Sequence, residues 1–384
     1  MNESKRHAIA AGHVFDGWTR HKDAAVVVEG SLIVGVVPQS ELPLGLEVRK
    51  LPSEVWLAPG FIDLQVNGGG DVLFNNSPTP EAILAIAAAH RKFGTTALLP
   101  TFITDTSEKM TVAFAAAQAL VESEPGILGI HLEGPFLSPE KAGVHAASLM
   151  RQPGPADLEM LCGPRKGALL VTLAPERVPT GFIAGLVQSG VRVSLGHSIA
   201  TYAETLAAMA EGLSGFTHLF NAMRPLASRE PGPIAAALES PNAWFGIIVD
   251  GFHVNPAMLR LSLRGLGRPI LVTDAMPPVG GRQSKFDLYG AEIQVIGGRC
   301  TTSDGTLAGS ALHMAAAVRN CVHMLGVPLE DALRFASRNP AEFIGLGHLL
   351  GGLRPGYRAD VVALDAGTLE VQGTWLAGKK SARL

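Results

Sequence analysis

Four residues that could bind a metal ion or transfer a proton follow short apolar runs in this sequence. Glu133 lies in HLEGPF, His197 in SLGHS and His218 in THLFNAM, and Asp274 comes later, in LVTDAM. One carboxylate and two imidazoles are a ligand set typical of a catalytic metal site, which keeps another position for water. We therefore predict that Glu133, His197 and His218 bind a metal ion, and that Asp274 is the general base of a metal-assisted hydrolysis.

Each of these residues also has an ordinary structural interpretation when it is considered alone. A single histidine is more often a core residue than a ligand, and a glutamate or aspartate often caps a helix or a loop. His131 shares a strand face with Glu133, because side chains alternate along a strand, and we interpret it as a core histidine. The joint occurrence of the four residues at predicted strand ends favours the metal site.

Two amide side chains, Gln65 and Asn67, end the first predicted barrel strand in DLQVNGG. Many metal-dependent barrel hydrolases carry His-x-His at that point, and amides are poor ligands for zinc. One half of a two-metal site is therefore predicted to be missing, so we expect one divalent metal ion per chain. Zn²⁺ suits the glutamate and histidine ligands best, with Fe²⁺, Mn²⁺ or Co²⁺ as alternatives.

Strand-like and helix-like segments alternate between these residues. Eight strands predict a (β/α)8 TIM-like barrel, which collects its active-site residues at the C-terminal ends of the strands. An open doubly wound sheet is the alternative, but it usually places its site at one switch point. The predicted strands are Phe61–Val66, Thr96–Pro100, Ile127–Glu133, Leu169–Ala174, Val191–Leu195, Gly215–His218, Phe245–Val249 and Ile270–Thr273.

Both ends of the chain are rich in strand-forming residues. Two such runs flank Gly30-Ser31, which is a hairpin signal, and similar runs lie near the C-terminus. We predict a small β-sandwich domain built from residues 1–57 and 350–384. The barrel is predicted to occupy residues 58–349, with a β insertion near 283–305.

Composition excludes several classes of function. The 384 residues carry a net charge of −3 at pH 7 and show no basic cluster, so nucleic-acid binding is not expected. No apolar run approaches the roughly 20 residues that span a membrane. The first residues lack the apolar segment of a secretion signal, and the three cysteines are far apart in sequence. We therefore predict a cytoplasmic protein without disulfides.

Separate segments between Ala58 and Ser310 resemble, in order, the N-acetylglucosamine-6-phosphate deacetylase family of the amidohydrolase superfamily. The resemblance implies that the protein removes acetyl from N-acetylglucosamine 6-phosphate, giving glucosamine 6-phosphate and acetate. It implies the same metal ligands, and it makes Asp274 first the base and then the acid. The segments are APGFIDLQVNG, HLEGPF, KAGVH, SLGHS, THLFNAM, REPG, DGFH, LVTDAMPPVGG and DGTLAGS.

The resemblance also implies contacts with the substrate. His145 would lie near the amide or the sugar hydroxyls, and Asn221 and Ala222 would bind the phosphate side. Arg229 and His253 would reach the phosphate from the neighbouring subunit, so a homodimer is expected. A guanidinium group matches phosphate well, although both residues also read as ordinary loop residues when taken alone.

One departure from the family pattern leaves alternatives open. Met276 in TDAMPP stands where a small residue is common, so the preference for one sugar is open. Deacetylation of N-acetylgalactosamine 6-phosphate is the closest alternative, followed by a cyclic-amide or aminohydrolase activity. A non-catalytic sugar-phosphate sensor is a third possibility, but its signature would be the loss of a metal ligand or of the base.

Overall fold

The strands form two eight-stranded sheets, a smaller sheet and a two-stranded ribbon within residues 6–381, which the computed structural model describes. Residues 1–5 and 382–384, the outer ends of the predicted small domain, lie outside the described residues. The strands are β1 (Arg6–Phe15), β2 (Arg20–Glu29), β3 (Leu32–Pro38), β4 (Glu47–Lys50), β5 (Val55–Pro59), β6 (Phe61–Val66), β7 (Gly68–Gly69), β8 (Val72–Leu73), β9 (Thr95–Ile103), β10 (Gly129–Glu133), β11 (Ala168–Leu173), β12 (Arg192–Leu195), β13 (Gly215–Phe216), β14 (Trp244–Ile247), β15 (Arg268–Leu271), β16 (Lys285–Leu288), β17 (Ala291–Ile296), β18 (Arg299–Thr301), β19 (Leu307–Ser310), β20 (Val361–Asp365), β21 (Val371–Leu376) and β22 (Lys379–Lys380).

Eight parallel strands form the central barrel. Their order is β6-β9-β10-β11-β12-β13-β14-β15, which follows the chain. An isolated bridge between Val66 and Ala275 joins the two ends of this order, so the barrel is nearly closed. β6, β9 and β10 are buried along their whole length, as expected for parallel strands that are covered on both faces. The predicted (β/α)8 barrel is confirmed.

Helices follow most of the barrel strands. Threonine side chains cap α1, α2 and α5, where Thr79, Thr106 and Thr201 each accept a hydrogen bond from a backbone N–H of the first turn. Within residues 6–381 no helix is both long enough and apolar enough to cross a bilayer. The helices are α1 (Pro80–Arg91), α2 (Ser107–Leu120), α3 (Pro155–Cys162), α4 (Phe182–Gln188), α5 (Tyr202–Ala210), α6 (Gly232–Glu239), α7 (Pro256–Ser262), α8 (Met314–Leu325), α9 (Leu329–Ala336) and α10 (Arg338–Phe343).

Both ends of the chain contribute strands to the second large sheet. Its order is β22-β21-β20-β5-β1-β2-β3, with β4 paired to β1. The hairpin predicted at Gly30-Ser31 joins β2 to β3. Alternate residues enter different apolar clusters, with Ile9 and Val26 in one and Ala8 and Ala25 in the other. Both faces of this sheet are therefore packed, which is consistent with the predicted β-sandwich.

A four-stranded sheet of β16 to β19 follows the last barrel strand and covers part of the barrel mouth. Phe286, Leu288 and Ile293 of this insertion sheet pack in one cluster with Ile103 and Met276 of the barrel. Because barrel strands end at this face, the insertion sheet forms one wall of the space into which the predicted site residues project.

Candidate active site

Three of the four central residues, His197, His218 and Asp274, lie just after the ends of barrel strands. Glu133 is the last residue of β10, but β13 ends at Phe216, before His218, and β15 ends before Asp274. His197, His218 and Asp274 have φ values of 49°, 31° and 51°. Non-glycine residues rarely adopt this left-handed region, which costs on the order of 1–3 kcal/mol each and persists only where the surroundings fix the backbone.

Glu133, His197 and His218 form a tight cluster that could hold a metal ion. The His218 Nε2 atom lies 3.0 Å from Glu133 Oε1, and the His197 Nε2 atom lies 3.2 Å from the same oxygen. The two Nε2 atoms are 3.1 Å apart. All three side chains are buried. The sequence prediction named these three residues together, and the fold brings them to one point.

Hydrogen bonding fixes the tautomer of His197 in a form that can bind a cation. His197 Nδ1 lies 2.7 Å from the Lys141 carbonyl oxygen, and a carbonyl can only accept, so Nδ1 carries the proton. A neutral His197 then presents the lone pair of Nε2 to the Glu133 carboxylate, which is also an acceptor. A cation between them removes the repulsion of these two acceptors, so the residues present fit a divalent metal ion.

Asp274 faces the cluster from the opposite side of the barrel mouth, where two amides hold it. Asn67 Nδ2 donates to Asp274 Oδ1 over 2.6 Å, and Gln65 Nε2 donates to the same oxygen over 3.2 Å. Gln65 Nε2 also lies 3.1 Å from Glu133 Oε2, so it bridges the two carboxylates. The amides at the end of β6 therefore act as hydrogen-bond donors to the two carboxylates.

The two carboxylates of the site have pKa values shifted in opposite directions. Burial raises the pKa of Asp274, and the negative charge of Glu133 raises it further. Burial also disfavours the charged form of Glu133, but His197 and His218, when they are protonated and donate to it, hold its pKa well below the usual range. Glu133 is thus suited to remain an anionic ligand, and Asp274 is suited to exchange a proton.

A cavity of about 220 Å³ opens above these residues. His145 lines it with its Nδ1 2.9 Å from Thr104 Oγ1 and its ring stacked obliquely on His197. His253 also lines it, and its Nδ1 donates to Asp250 Oδ2 over 2.6 Å. The loop after His218 supplies the two further predicted substrate contacts, namely Asn221 and Ala222.

Among the predicted substrate contacts, Arg229 is the one that the fold does not bring to this cavity. It is exposed in the loop before α6, outside the lining of the cavity.

Several residues that shape the site were not among the predicted site residues, although Val144 and Leu307 lie in the segments KAGVH and DGTLAGS. Ile103, Val144 and Leu307 supply apolar lining, and the last of these belongs to the insertion sheet. Tyr289 of the same sheet donates a hydrogen bond to the Thr104 carbonyl, which fixes the sheet beside His145. A backbone carbonyl and isolated apolar residues have no recognisable spacing, so sequence patterns do not find them.

Comparisons with known proteins show which sequences and structures this chain is similar to. Residues 56–380 match the Amidohydrolase family. An N-acetylgalactosamine-6-phosphate deacetylase of Shewanella is 45% identical over 84% of this chain and 82% of its own. An N-acetylglucosamine-6-phosphate deacetylase of Haemophilus influenzae is 35% identical over 93% of this chain and 94% of its own. The crystal structure of N-acetylglucosamine-6-phosphate deacetylase from Pasteurella multocida superposes with a TM-score of 0.95 at 36% identity, covering 98% of this chain and all of that one.

Proposed function

The chain belongs to the amidohydrolase family, and we propose that it removes the acetyl group from N-acetylglucosamine 6-phosphate, giving glucosamine 6-phosphate and acetate. The observation that carries this proposal is the convergence of Glu133, His197, His218 and Asp274 on one cavity. Support comes from the likeness of the whole chain to a solved deacetylase with this substrate in its name.

We propose that Glu133, His197 and His218 bind one divalent metal ion, and that Zn²⁺ suits them best, with Fe²⁺, Mn²⁺ or Co²⁺ as alternatives. When bound, such an ion polarises the amide carbonyl and lowers the pKa of water toward about 7. The amides of Gln65 and Asn67 already donate to carboxylates, which supports one ion per chain rather than two.

Asp274 moves the proton in this proposal. It accepts a proton from the attacking water and delivers it to the amide nitrogen as the C–N bond breaks. The acetyl group thereby gains the water oxygen, and the amino sugar leaves as a neutral amine. The raised pKa of Asp274 supports the second half of this role, because a carboxylic acid with a raised pKa remains protonated long enough to act as an acid.

Binding of the remote phosphate would position the acetamido group over the reacting residues. We propose that His145 contacts the amide or the sugar hydroxyls, and that Asn221 and Ala222 bind the phosphate side. Arg229 would reach the phosphate across a homodimer, whereas His253 lines the cavity of its own chain and would contact the phosphate there. The exposure of Arg229, outside the cavity of its own chain, supports a contribution to the neighbouring subunit.

We further propose the domain limits and the location of the protein. The small domain would comprise residues 1–57 and 350–384, and the barrel residues 58–349, a division supported by the two ends of the chain sharing one sheet. Three unpaired cysteines support a reducing, cytoplasmic location.

Acetate release by protein of measured metal content tests the function. We expect turnover of N-acetylglucosamine 6-phosphate with about one metal ion per chain, and a kcat/KM at least about 100-fold lower for the unphosphorylated sugar, because the remote contacts are lost. A higher kcat/KM for N-acetylgalactosamine 6-phosphate would transfer the assignment to that epimer. Metal-loaded protein that releases acetate from none of the three would overturn the proposal.

A further inference from the structure

Asp63 is a carboxylate buried inside the barrel without a cation beside it. It lies on β6 with none of its surface exposed, and it takes part in no ion pair between described residues. Removing a charge from water costs several kcal/mol unless close hydrogen bonds compensate. Burial raises the pKa of Asp63 to about 7, and the nearby Asp274 adds to the rise. Burying this carboxylate costs free energy, and the hydrogen bonds of Asp63 indicate which function it serves there.

Asp63 accepts three hydrogen bonds at the seam where β6 meets the segment after β15. Thr273 Oγ1 donates to Asp63 Oδ2 over 2.5 Å, and Thr273 N donates to Oδ1 over 3.3 Å. Gln65 N donates to Oδ1 over 3.3 Å. Two of these donors belong to the residue directly before Asp274, so Asp63 fixes that residue through both its backbone and its side chain.

The same seam holds the backbone of Asp274 from both sides. Asp274 N donates to the Gln65 carbonyl over 3.0 Å. Ser310 Oγ donates to the Thr273 carbonyl over 2.6 Å, and Ser310 N donates to the Asp274 carbonyl over 2.9 Å. Because Asp274 has a positive φ of 51°, it keeps this conformation only while its neighbours are held in place.

We propose that Asp63 is a positioning residue for the catalytic base, and that it acts through Thr273 to set where the Asp274 carboxylate points. Proton transfer requires the base within about 2.6–3.2 Å of its partner. A displacement of about 1 Å lowers turnover by about 100-fold even when its cause lies away from the reacting atoms. The inference rests on the proposed function, because it concerns the same reaction.

Changes at either end of the Asp63–Thr273 contact test the inference. Asp63→Ala removes the acceptor, and Thr273→Val removes the hydroxyl but keeps the branched shape. We expect kcat to fall about 30- to 100-fold in both, with KM within about threefold and the metal content of the wild type. Thr273→Ser keeps the hydroxyl donor. Asp63→Asn keeps Oδ1 as an acceptor for the two backbone N–H groups, and its Nδ2 can donate to Thr273 Oγ1, so the contact is kept with its direction reversed. Each of these variants should recover most of kcat.

Thr205→Val is the matched control, because it also removes a buried threonine hydroxyl that donates a hydrogen bond. Thr205 Oγ1 donates to the Thr201 carbonyl over 2.8 Å on α5, outside the barrel strands. We expect its kcat within about twofold of the wild type, since nothing links it to Asp274. Thermal unfolding of every variant shows whether the fold is retained. If Asp63→Ala does not fold, the kcat of Thr273→Val tests the positioning role.

The outcomes separate this inference from the proposed function. Wild-type protein that releases no acetate would overturn the function. Wild-type turnover with a kcat for Thr273→Val within about threefold would overturn the positioning role alone. A fall in kcat that is matched by loss of metal or a parallel rise in KM, and that Thr273→Ser does not recover, would also overturn it by showing a general structural role.

Discussion

The two sides of the barrel mouth hold their carboxylates in different ways. On the ligand side, formed by Glu133, His197 and His218, one carboxylate oxygen and two imidazole Nε2 atoms lie 3.0–3.2 Å from one another. On the amide side, formed by Gln65, Asn67 and Asp274, two N–H donors meet one carboxylate oxygen. A cation satisfies the first arrangement, while neutral dipoles satisfy the second.

This difference explains how two buried carboxylates in one cavity take different roles. A carboxylate held by a metal ion stays ionised. The pKa of Asp274 is raised because burial and the charge of Glu133 outweigh the hydrogen bond from Asn67, which lowers it, so Asp274 remains free to exchange a proton. A second cation beside Asp274 would favour its ionised form and weaken it as an acid. The amide pair thus holds Asp274 in place without adding a charge.

The largest expected fall in kcat comes from removing the group that transfers the proton, Asp274 on the amide side. Asp274→Asn keeps the shape of the side chain and an oxygen that accepts from Asn67, but it cannot take a proton. We expect kcat to fall about 10³-fold, within the range typical of general acid–base catalysis, with metal content and thermal stability retained. Acetate release measures the effect, and the metal content of the same samples is the companion measurement.

Asp365→Asn serves as the control, because Asp365 accepts backbone hydrogen bonds in the terminal sheet, away from the cavity. Its turnover should match that of the wild type. Near-normal turnover in Asp274→Asn would remove the proton-transfer role from Asp274.

Weakening the amide side without removing its carboxylate gives an intermediate effect. Asn67→Ala removes the 2.6 Å donor to Asp274 and leaves the longer one from Gln65. A hydrogen bond to a charged group contributes about 1.5–3 kcal/mol, so we expect kcat to fall about 10- to 100-fold with the metal content unchanged.

Asn339→Ala is the matched change elsewhere, since Asn339 Nδ2 donates to the Pro269 carbonyl below the barrel mouth. A loss of metal in Asn67→Ala would contradict the division into two sides, because it would make Asn67 part of the ligand side.

Sequence patterns predicted the ligand side better than the amide side. The alternation of strands and helices fixes which residues follow strand ends, so Glu133, His197 and His218 could be grouped without a structure. For Gln65 and Asn67 the sequence indicated only that amides are poor metal ligands, and it did not indicate their hydrogen-bond partners. Their hydrogen bonds to Asp274 join positions more than 200 residues apart, and no spacing along the chain encodes a contact of that kind.

Buried supporting residues were also beyond prediction, for a related reason. Asp63 reads as one more residue of an apolar strand until Thr273 is placed against it. The tautomer of His197 depends on the Lys141 carbonyl, and every residue has a carbonyl. The strands predicted to end at His218 and Thr273 end two residues earlier, at Phe216 and Leu271, and His218 and Asp274 have positive φ values. Strand propensity does not predict how a loop must turn to orient a side chain.

His90 lies behind the amide side, and its substitution should have the smallest effect on turnover. Its effect is expected instead in how the free energy of unfolding depends on pH. His90 Nε2 lies 2.9 Å from the Gly68 carbonyl and must donate to it, so Nδ1 is the buried nitrogen left without a partner. Protonation there would create a buried charge, and burial lowers the pKa of His90 to about 4. The unfolded chain therefore binds the proton first, and stability is lost as pH falls from about 6.5 toward 4.

For His90 this linkage amounts to about 2 kcal/mol between pH 8 and pH 5. His90→Gln keeps a donor for the Gly68 carbonyl but does not titrate, so its free energy of unfolding should decline less over that interval, by about this amount. Chemical denaturation at the two pH values measures the difference, with His348→Gln as the control because His348 is exposed. Equal declines in His90→Gln and the wild type would mean that His90 does not stay neutral in the folded protein, and that the amide side tolerates a charge behind it.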